Sequence, residues 1–362
     1  MTRFAARIRS AQERMANEGI DALCLSVGSD LPYLTGYRAM PLERLTMFVL
    51  PVEGEGTIVV PGLEAPRVET DGMPFRVQGW GETEDPIAIV DAHLAGSGNV
   101  LIGDETWSRF LVDLQDVRPS RTFGNAGELM AHLRIRKSAD EIEKLLSAAA
   151  TVDGVVGQLE NVRFSGRTEK DVAREVTERT RAAGHDTMDF WIVASGPNGA
   201  SPHHEPGARI IEIGDAVVVD FGGHQEGYAS DTTRMFVVQE APAGFDEAYG
   251  VLHRAHVTAV DFVRPGVTAE SIDAVARDII TDAGHGDLFI HRTGHGIGMD
   301  SHEHPYLVEG NSQVIEEGMV FSIEPGIYKP GEWGMRIEDI VAVTQDGVER
   351  LNRTDRAYRV VA

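Results

Sequence analysis

Asp220 and Asp231 stand where a half-buried β-hairpin should carry apolar side chains. Their stretch, AVVVDFGGHQEGYASDTTRMFVV (216–238), has two runs rich in β-branched and aromatic residues, 216–221 and 228–238, with GGHQEG between them as turn chemistry. Folded about that turn, the two aspartates come roughly opposite each other and share a face of the sheet. Carboxylates brought together repel unless a proton or a metal ion lies between them. Taken alone, the hairpin also allows one Asp in a turn and the other on a solvated face.

A second hairpin decides between these. VFSIEPGIY (320–328) and MRIEDIVAV (335–343) flank the turn residues KPGEWG, and Glu324 and Glu338 occupy comparable positions among Ile, Val and Phe. Four carboxylates with core-like neighbours fit one cation site better than four solvated positions. Between the hairpins, GHGIGMDSHEH (294–304) offers His295 as an imidazole ligand. Asp, Asp, His, Glu, Glu is a hard, oxygen-rich set suited to Mn, Co or Fe more than to thiolate-type zinc. Five side chains, several able to bridge, exceed the needs of one ion and point to two. The chemistry such a pair supports is hydrolysis by an activated water.

Composition narrows the partners. A chain of 362 residues has room for two domains and a sizeable core. With 33 basic against 57 acidic residues, the net charge of −24 argues against a nucleic-acid or anionic-membrane partner. The single Cys24, in an apolar strand, rules out an internal disulfide and reads as inert core. MTRFAARIRSAQERMANEG lacks an apolar signal core and no run approaches a membrane span, so a cytoplasmic protein is expected. Asn352-Arg353-Thr354 is a glycosylation sequon in form only.

The elements that must hold these residues fall into two domains, 1–124 and 125–362. The first reads as a small α/β unit. Phe4, Ile8, Ala11 and Met15 make a helical stripe that Gly19 can end. Strands are expected at 22–27, 45–50, 57–60, 75–77 and 100–102, with helices at 63–69 and 86–94. It holds no paired carboxylates, metal spacing or phosphate loop, and its expected role is to shape access or support an oligomer.

In the second domain, Ser138 and Glu141 form a capping box for a helix running towards Glu160, and Thr168 caps another ending at 183–184. The segments GRTEKDVAREVTERTRAAGH (166–185) and GVTAESIDAVARDIITDAGH (266–285) then share Gly, Thr, Ala, Gly and His at an offset of 100 (266 − 166). A long helix precedes each. Each half therefore runs helix, helix, strand and a hairpin with two carboxylates, which predicts a pseudo-twofold α+β domain with the metal where the halves meet.

Residues from about 125 to 355 resemble the pita-bread metallopeptidases: methionine aminopeptidase, aminopeptidase P, prolidase and their metal-free relative creatinase. The motifs that carry the likeness are LRIRKSADEIEKL, ASGPNGASPHH, VVDFGG with SDTTR, FIHRTGHGIGMDSHE, SIEPGIY and MRIEDIVAV. The front domain, with DLPYLTGY (30–37), is similar to the one carried by prolidases and aminopeptidases P. The resemblance implies a pita-bread fold and a dinuclear centre bound by Asp220, Asp231, His295, Glu324 and Glu338. Mn or Co is foremost, with Zn or Fe as alternatives. It implies an Xaa-Pro dipeptidase acting on small peptides with a free N-terminus, or aminopeptidase P acting on longer ones, working as a homodimer. A non-catalytic pita-bread binding protein is the reading from another class. Creatinase has lost ligands that are all present here. One departure is Ser301, where relatives often carry Val.

Further roles follow from the same likeness. Glu324 would move the proton from water to the leaving nitrogen. His203, in a Gly/Asn/Ser/Pro-rich loop, matches the histidine that contacts the scissile amide, and His302 matches the transition-state histidine. His291 precedes His295 by four, which in a strand places both on one face, and resembles a substrate-pocket residue. Arg336, two before Glu338, shares its face and would pair with a site carboxylate or with substrate. His204 and His304 read as surface. The glycines of GHGIG give room for close backbone approach.

Overall fold

Residues 2–362 are described by a computed structural model, in which one unit ends at Arg134 and a second runs from Ile135 to Ala362. The change of sequence texture at Gly124 falls inside a strand shortly before that division. In the first unit the stripe on α1 (Arg3–Glu18) buries Ile8, Ala11 and Met15, and Gly19 ends the helix with φ 69°. Then come β1 (Ala22–Leu25), α2 (Asp30–Thr35), β2 (Met47–Pro51), β3 (Gly56–Pro61) and β4 (Phe75–Trp80). α3 (Pro86–His93), β5 (Asn99–Ile102), α4 (Ser108–Val117), β6 (Thr122–Asn125) and α5 (Gly127–Arg134) complete it. One sheet runs β4-β3-β2-β1-β5-β6. Cys24 is fully buried on β1, and burial pushes its thiol up to about 12. The helix expected at 63–69 is a single 3₁₀ turn at Ala65–Arg67, with Pro66 at its start.

The second unit opens with α6 (Ala139–Leu159), whose Glu141 carboxylate accepts from the Ser138 N–H and Oγ, both at 2.9 Å. α7 (Glu169–Ala182), β7 (Thr187–Ser195), β8 (Ala216–Gln225) and β9 (Tyr228–Val238) follow. The other half is α8 (Phe245–Phe262), α9 (Ala269–Asp282), β10 (Gly294–Gly296), β11 (Glu303–Leu307) and β12 (Val320–Ile323), then β13 (Gly326–Lys329), β14 (Trp333–Arg336), β15 (Asp339–Thr344), β16 (Gly347–Arg350) and β17 (Arg359–Val361). Two sheets result, β17-β9-β8-β7 and β11-β10-β12-β15-β16, with β13-β14 as a separate ribbon.

The sequence repeat has a structural cause. Thr168 and Thr268 cap α7 and α9, and each makes an isolated bridge, to Ile210 and Val314. Gly166 and Gly266 (φ 79° and 93°) lead in; Gly184 and Gly284 (φ 128° and 84°) lead out. Such backbone favours glycine.

Both hairpins depart from expectation in detail. The first turn is the two-residue Glu226-Gly227, with φ 50° and 80°, so Gly222 and Gly223 belong to β8. Asp220 therefore pairs with Thr233, and Asp231 with Gly222. The aspartates share a face as diagonal neighbours instead of lying opposite each other. A Cβ at Gly222 would lie 2.1 Å from the Ser230 carbonyl oxygen, so this ladder admits no side chain opposite Asp231. The second hairpin splits between sheets: β12 pairs with β15, and β13 with β14. Glu324-Pro325 and Ile337-Glu338 form the break, where Pro325 has no N–H to give a ladder. Glu324 and Glu338 are thus at strand ends, and Glu338 bridges to Thr233 on the other sheet.

Among the described residues no helix is long and apolar enough to cross a membrane. Asn352 of the sequon is fully buried, its Oδ1 accepting from the Ile340 N–H at 2.7 Å.

Candidate active site

A cavity of about 1130 Å³ is lined by Asp220, Asp231, His295, Glu324 and Glu338, together with His203, His302, His291 and Arg336. The hairpin brings Asp220 and Asp231 to its floor. His295 is delivered by β10, where Gly294 lets the backbone close on β12: a Cβ there would lie 1.9 Å from the Ser322 carbonyl oxygen. Three overlapping triads, Asp231–His295–His302, His295–Glu324–Glu338 and Asp220–Asp231–Glu338, each hold their ligand atoms within 4.8 Å of one another.

These residues fit divalent cations on chemical grounds. Asp220, Asp231 and Glu338 are buried, yet Asp220 Oδ1, Asp231 Oδ1 and Glu338 Oε1 have no hydrogen-bond partner among the described residues. Orphaned buried acceptors of this kind are rare without an ion or water. Burial, and then the charges of Glu338, Asp220 and Glu324, push the Asp231 carboxyl well above the usual range. Burial, with Glu324 and Asp220, does the same to Glu338. Burial also raises Asp220, against the pull of the Arg336 guanidinium. Bound cations remove this penalty by supplying the missing positive charge. Glu324 goes the other way: against burial, the hydrogen bond and charge of His295 hold it at about 2.

Surrounding groups fix the ligands. His295 Nδ1 lies 3.1 Å from the Gly296 carbonyl oxygen, so that nitrogen carries the hydrogen and Nε2 turns to Glu324 Oε1 at 3.2 Å and Asp231 Oδ2 at 3.8 Å. Thr233 Oγ1 donates to Glu338 Oε2 at 2.8 Å and accepts from Arg336 Nε at 3.0 Å. Ser322 Oγ donates to Glu324 Oε1 at 3.1 Å. Arg336 Nη2 pairs with Asp220 Oδ2, and its Nη1 donates to the Tyr328 hydroxyl at 2.7 Å. His291 precedes β10 instead of extending it, and its Nε2 lies 2.8 Å from the same hydroxyl. Thr233, Ser322 and Tyr328 were not singled out in the sequence, although Thr233 lies in SDTTR and the other two in SIEPGIY.

The histidines at the mouth differ in setting. His203 is exposed on the loop after a 3₁₀ turn, Gly196–Ala200. That loop hangs on Glu169, fully buried, which accepts from the Ser195 N–H (2.8 Å), Asn198 Nδ2 (3.0 Å) and the Gly207 N–H (3.2 Å). His204 Nε2 lies 2.8 Å from Glu169 Oε2, so His204 is a tether of this loop and not free surface. His302 is exposed, with its ring centroid 3.8 Å from that of His295. Desolvation where its ring packs on His295, and the His295 charge, lower it to about 4, which leaves it neutral near pH 7.

Arg234 secures the seam between the sheets. Fully buried, it donates to the Glu338 carbonyl, to Asp339 Oδ1 at 2.6 Å and to the Thr354 carbonyl at 3.1 Å. Arg234→Met is expected to cost about 3–5 kcal/mol, the scale for breaking a buried ion pair. Urea unfolding checks this; a loss no larger than that of an exposed pair would show the seam holds without it.

The sequence pattern of metallopeptidase family M24 matches residues 134–345, and that of the Creatinase/Prolidase N-terminal domain matches residues 7–136. The chain is 42% identical over 366 residues to a probable dipeptidase PepE of Mycobacterium tuberculosis, covering 99% of this chain and 96% of that one. It is 33% identical to an Xaa-Pro dipeptidase of Lactobacillus helveticus, with 97% of each covered. Among solved structures, a recombinant prolidase from Thermococcus sibiricus superposes with a TM-score of 0.94 at 36% identity, covering 99% of both chains. With its cavity, its carboxylate cluster and these likenesses in agreement, the chain belongs to metallopeptidase family M24.

Proposed function

We propose that this metallopeptidase is an Xaa-Pro dipeptidase with two divalent ions, Mn or Co foremost, at Asp220, Asp231, His295, Glu324 and Glu338. The observation that carries the metal is the set of orphaned buried carboxylate oxygens converging in one cavity. The substrate class rests on relatives named Xaa-Pro dipeptidase and prolidase. Bound there, the ions would supply a nucleophilic water near neutral pH and polarise the carbonyl. Glu324, its Oε1 beside His295 Nε2 in the cavity, would take the proton of the attacking water and pass it to the departing proline nitrogen. His203 and neutral His302 donate N–H groups to the carbonyl oxygen as it gains charge, a contribution of about 2.7–4 kcal/mol per donor in other enzymes. Arg336 neutralises Asp220, and with His291 it lines the substrate pocket, both held by the Tyr328 hydroxyl. The domain 1–124 shapes access or supports a homodimer, and the protein works in the cytoplasm.

A panel of Xaa-Pro dipeptides beside Xaa-Pro tripeptides tests the reading. Dipeptides are expected to be preferred by more than about tenfold in kcat/KM, equivalent to about 1.4 kcal/mol. Preference for tripeptides would make the enzyme an aminopeptidase P. No turnover of either by metal-loaded protein would leave a binding protein.

A further inference from the structure

We infer that Asp189, bridging Ser301 and His224, is a positioning residue that fixes the segment carrying His302. The inference rests on the reading of His302 as a group that touches the substrate. Asp189 lies at an irregularity in the β7–β8 ladder, between Met188 and Phe190, and a bulge of this kind re-aims the side chain it carries. Here the carboxylate turns to the cavity wall, with 28% of the side chain exposed. Its Oδ2 accepts from Ser301 Oγ at 2.8 Å and from His224 Nδ1 at 2.8 Å. The other ring nitrogen of His224, Nε2, lies 2.9 Å from the Met299 carbonyl oxygen.

Both ring nitrogens of His224 therefore face acceptors, a carboxylate on one side and a carbonyl on the other. Both must carry hydrogen to donate, so the ring is a cation paired with Asp189. Against its own burial, the hydrogen bond and charge of His224 and the Ser301 hydroxyl hold the Asp189 carboxyl below its usual range. The ion pair grips the 299–301 segment at two points, directly at Ser301 and through His224 at Met299. That segment lies between β10 and β11, has no ladder of its own, and ends at exposed His302. The partners are 112 and 75 residues apart in sequence, so the paired strands β7 and β8, the second of which also carries Asp220, set where the His302 ring stands.

The test compares Mn²⁺-loaded wild type with Ser301→Ala, Ser301→Thr and Asp189→Asn. Ser301→Ala and Asp189→Asn are expected to lower kcat about tenfold, well within what a slight misplacement of a reacting group costs. KM should stay within about twofold, since uniform binding of substrate is untouched. Bound metal should be unchanged, Ser301→Thr should restore the rate, and amide hydrogen exchange of residues 298–302 should quicken in the two damaging variants. In a His302→Ala background, Ser301→Ala should cause no further loss, because coupled residues are not additive. Equal loss in both backgrounds, unchanged exchange, or unchanged kcat would each overturn the inference. Wild type that cleaves no Xaa-Pro peptide would refute the functional reading instead, and the exchange measurement would then decide the latch by itself.

Discussion

Protein stripped of metal is expected to turn over no Xaa-Pro dipeptide, and Mn²⁺ or Co²⁺ is expected to restore turnover at two ions per chain. Asp231→Asn is expected to lower kcat/KM of the loaded enzyme more than about a hundredfold, since loss of a ligand's mere hydrogen-bond partner already costs 10–100-fold elsewhere. The same substitution has the opposite effect on the stability of the stripped protein. Burial and three neighbouring carboxylates press against the Asp231 charge, and its Oδ1 has no partner among the described residues. A neutral amide relieves that repulsion, so stripped Asp231→Asn melts above stripped wild type. With metal restored the order reverses, because wild type alone gains the full binding energy. Calorimetry of the four samples beside peptide assays checks both halves. Full turnover after chelation would end the metal reading; the same melting order in all states would end the repulsion argument.

What the sequence revealed follows from the range of the forces involved. Asp220, Asp231, Glu324 and Glu338 stood out because charged residues broke runs of Val, Ile and Phe, a signal local to each hairpin. The repeat at an offset of 100 was legible because helix caps and left-handed glycines act within a few residues. The register was missed by a pair: GGHQEG looked like one long turn, and only the packed sheet shows that Gly222 and Gly223 are strand residues pressed against Ser230 and Thr187. Thr233 on Glu338 and Arg336 on Asp220 join residues 105 and 116 apart, and no local pattern announces such contacts. In the first unit, α2 was too short, at six residues, for a period to emerge. α4 did carry a signal, since its buried Phe110 and Leu114 are four apart on one helical face.

N-Acetylated Ala-Pro is expected to be cleaved on the order of 10⁴-fold less well than Ala-Pro, the scale on which a site built around one polar substrate group rejects an analogue lacking it. The candidate site is acidic where the free amine would enter. Asp220, Asp231, Glu324 and Glu338 face the cavity, and the buried cation facing them, Arg336, is already spent on Asp220. A free amine can approach these carboxylates and also offers a lone pair to an open coordination position. An acetamide has no basic lone pair on nitrogen and adds bulk beside the carboxylates that face the cavity. The net charge of −24 draws cationic termini towards the protein, though salt screens that field within about 8 Å at physiological strength. Discrimination must therefore arise at contact and survive added salt. Comparing kcat/KM for the two peptides at low salt and at physiological ionic strength separates steering from recognition. If both peptides are cleaved at similar rates, the amine is not read and the enzyme is no exopeptidase. If the discrimination collapses as salt is added, long-range attraction rather than the site itself selects the terminus.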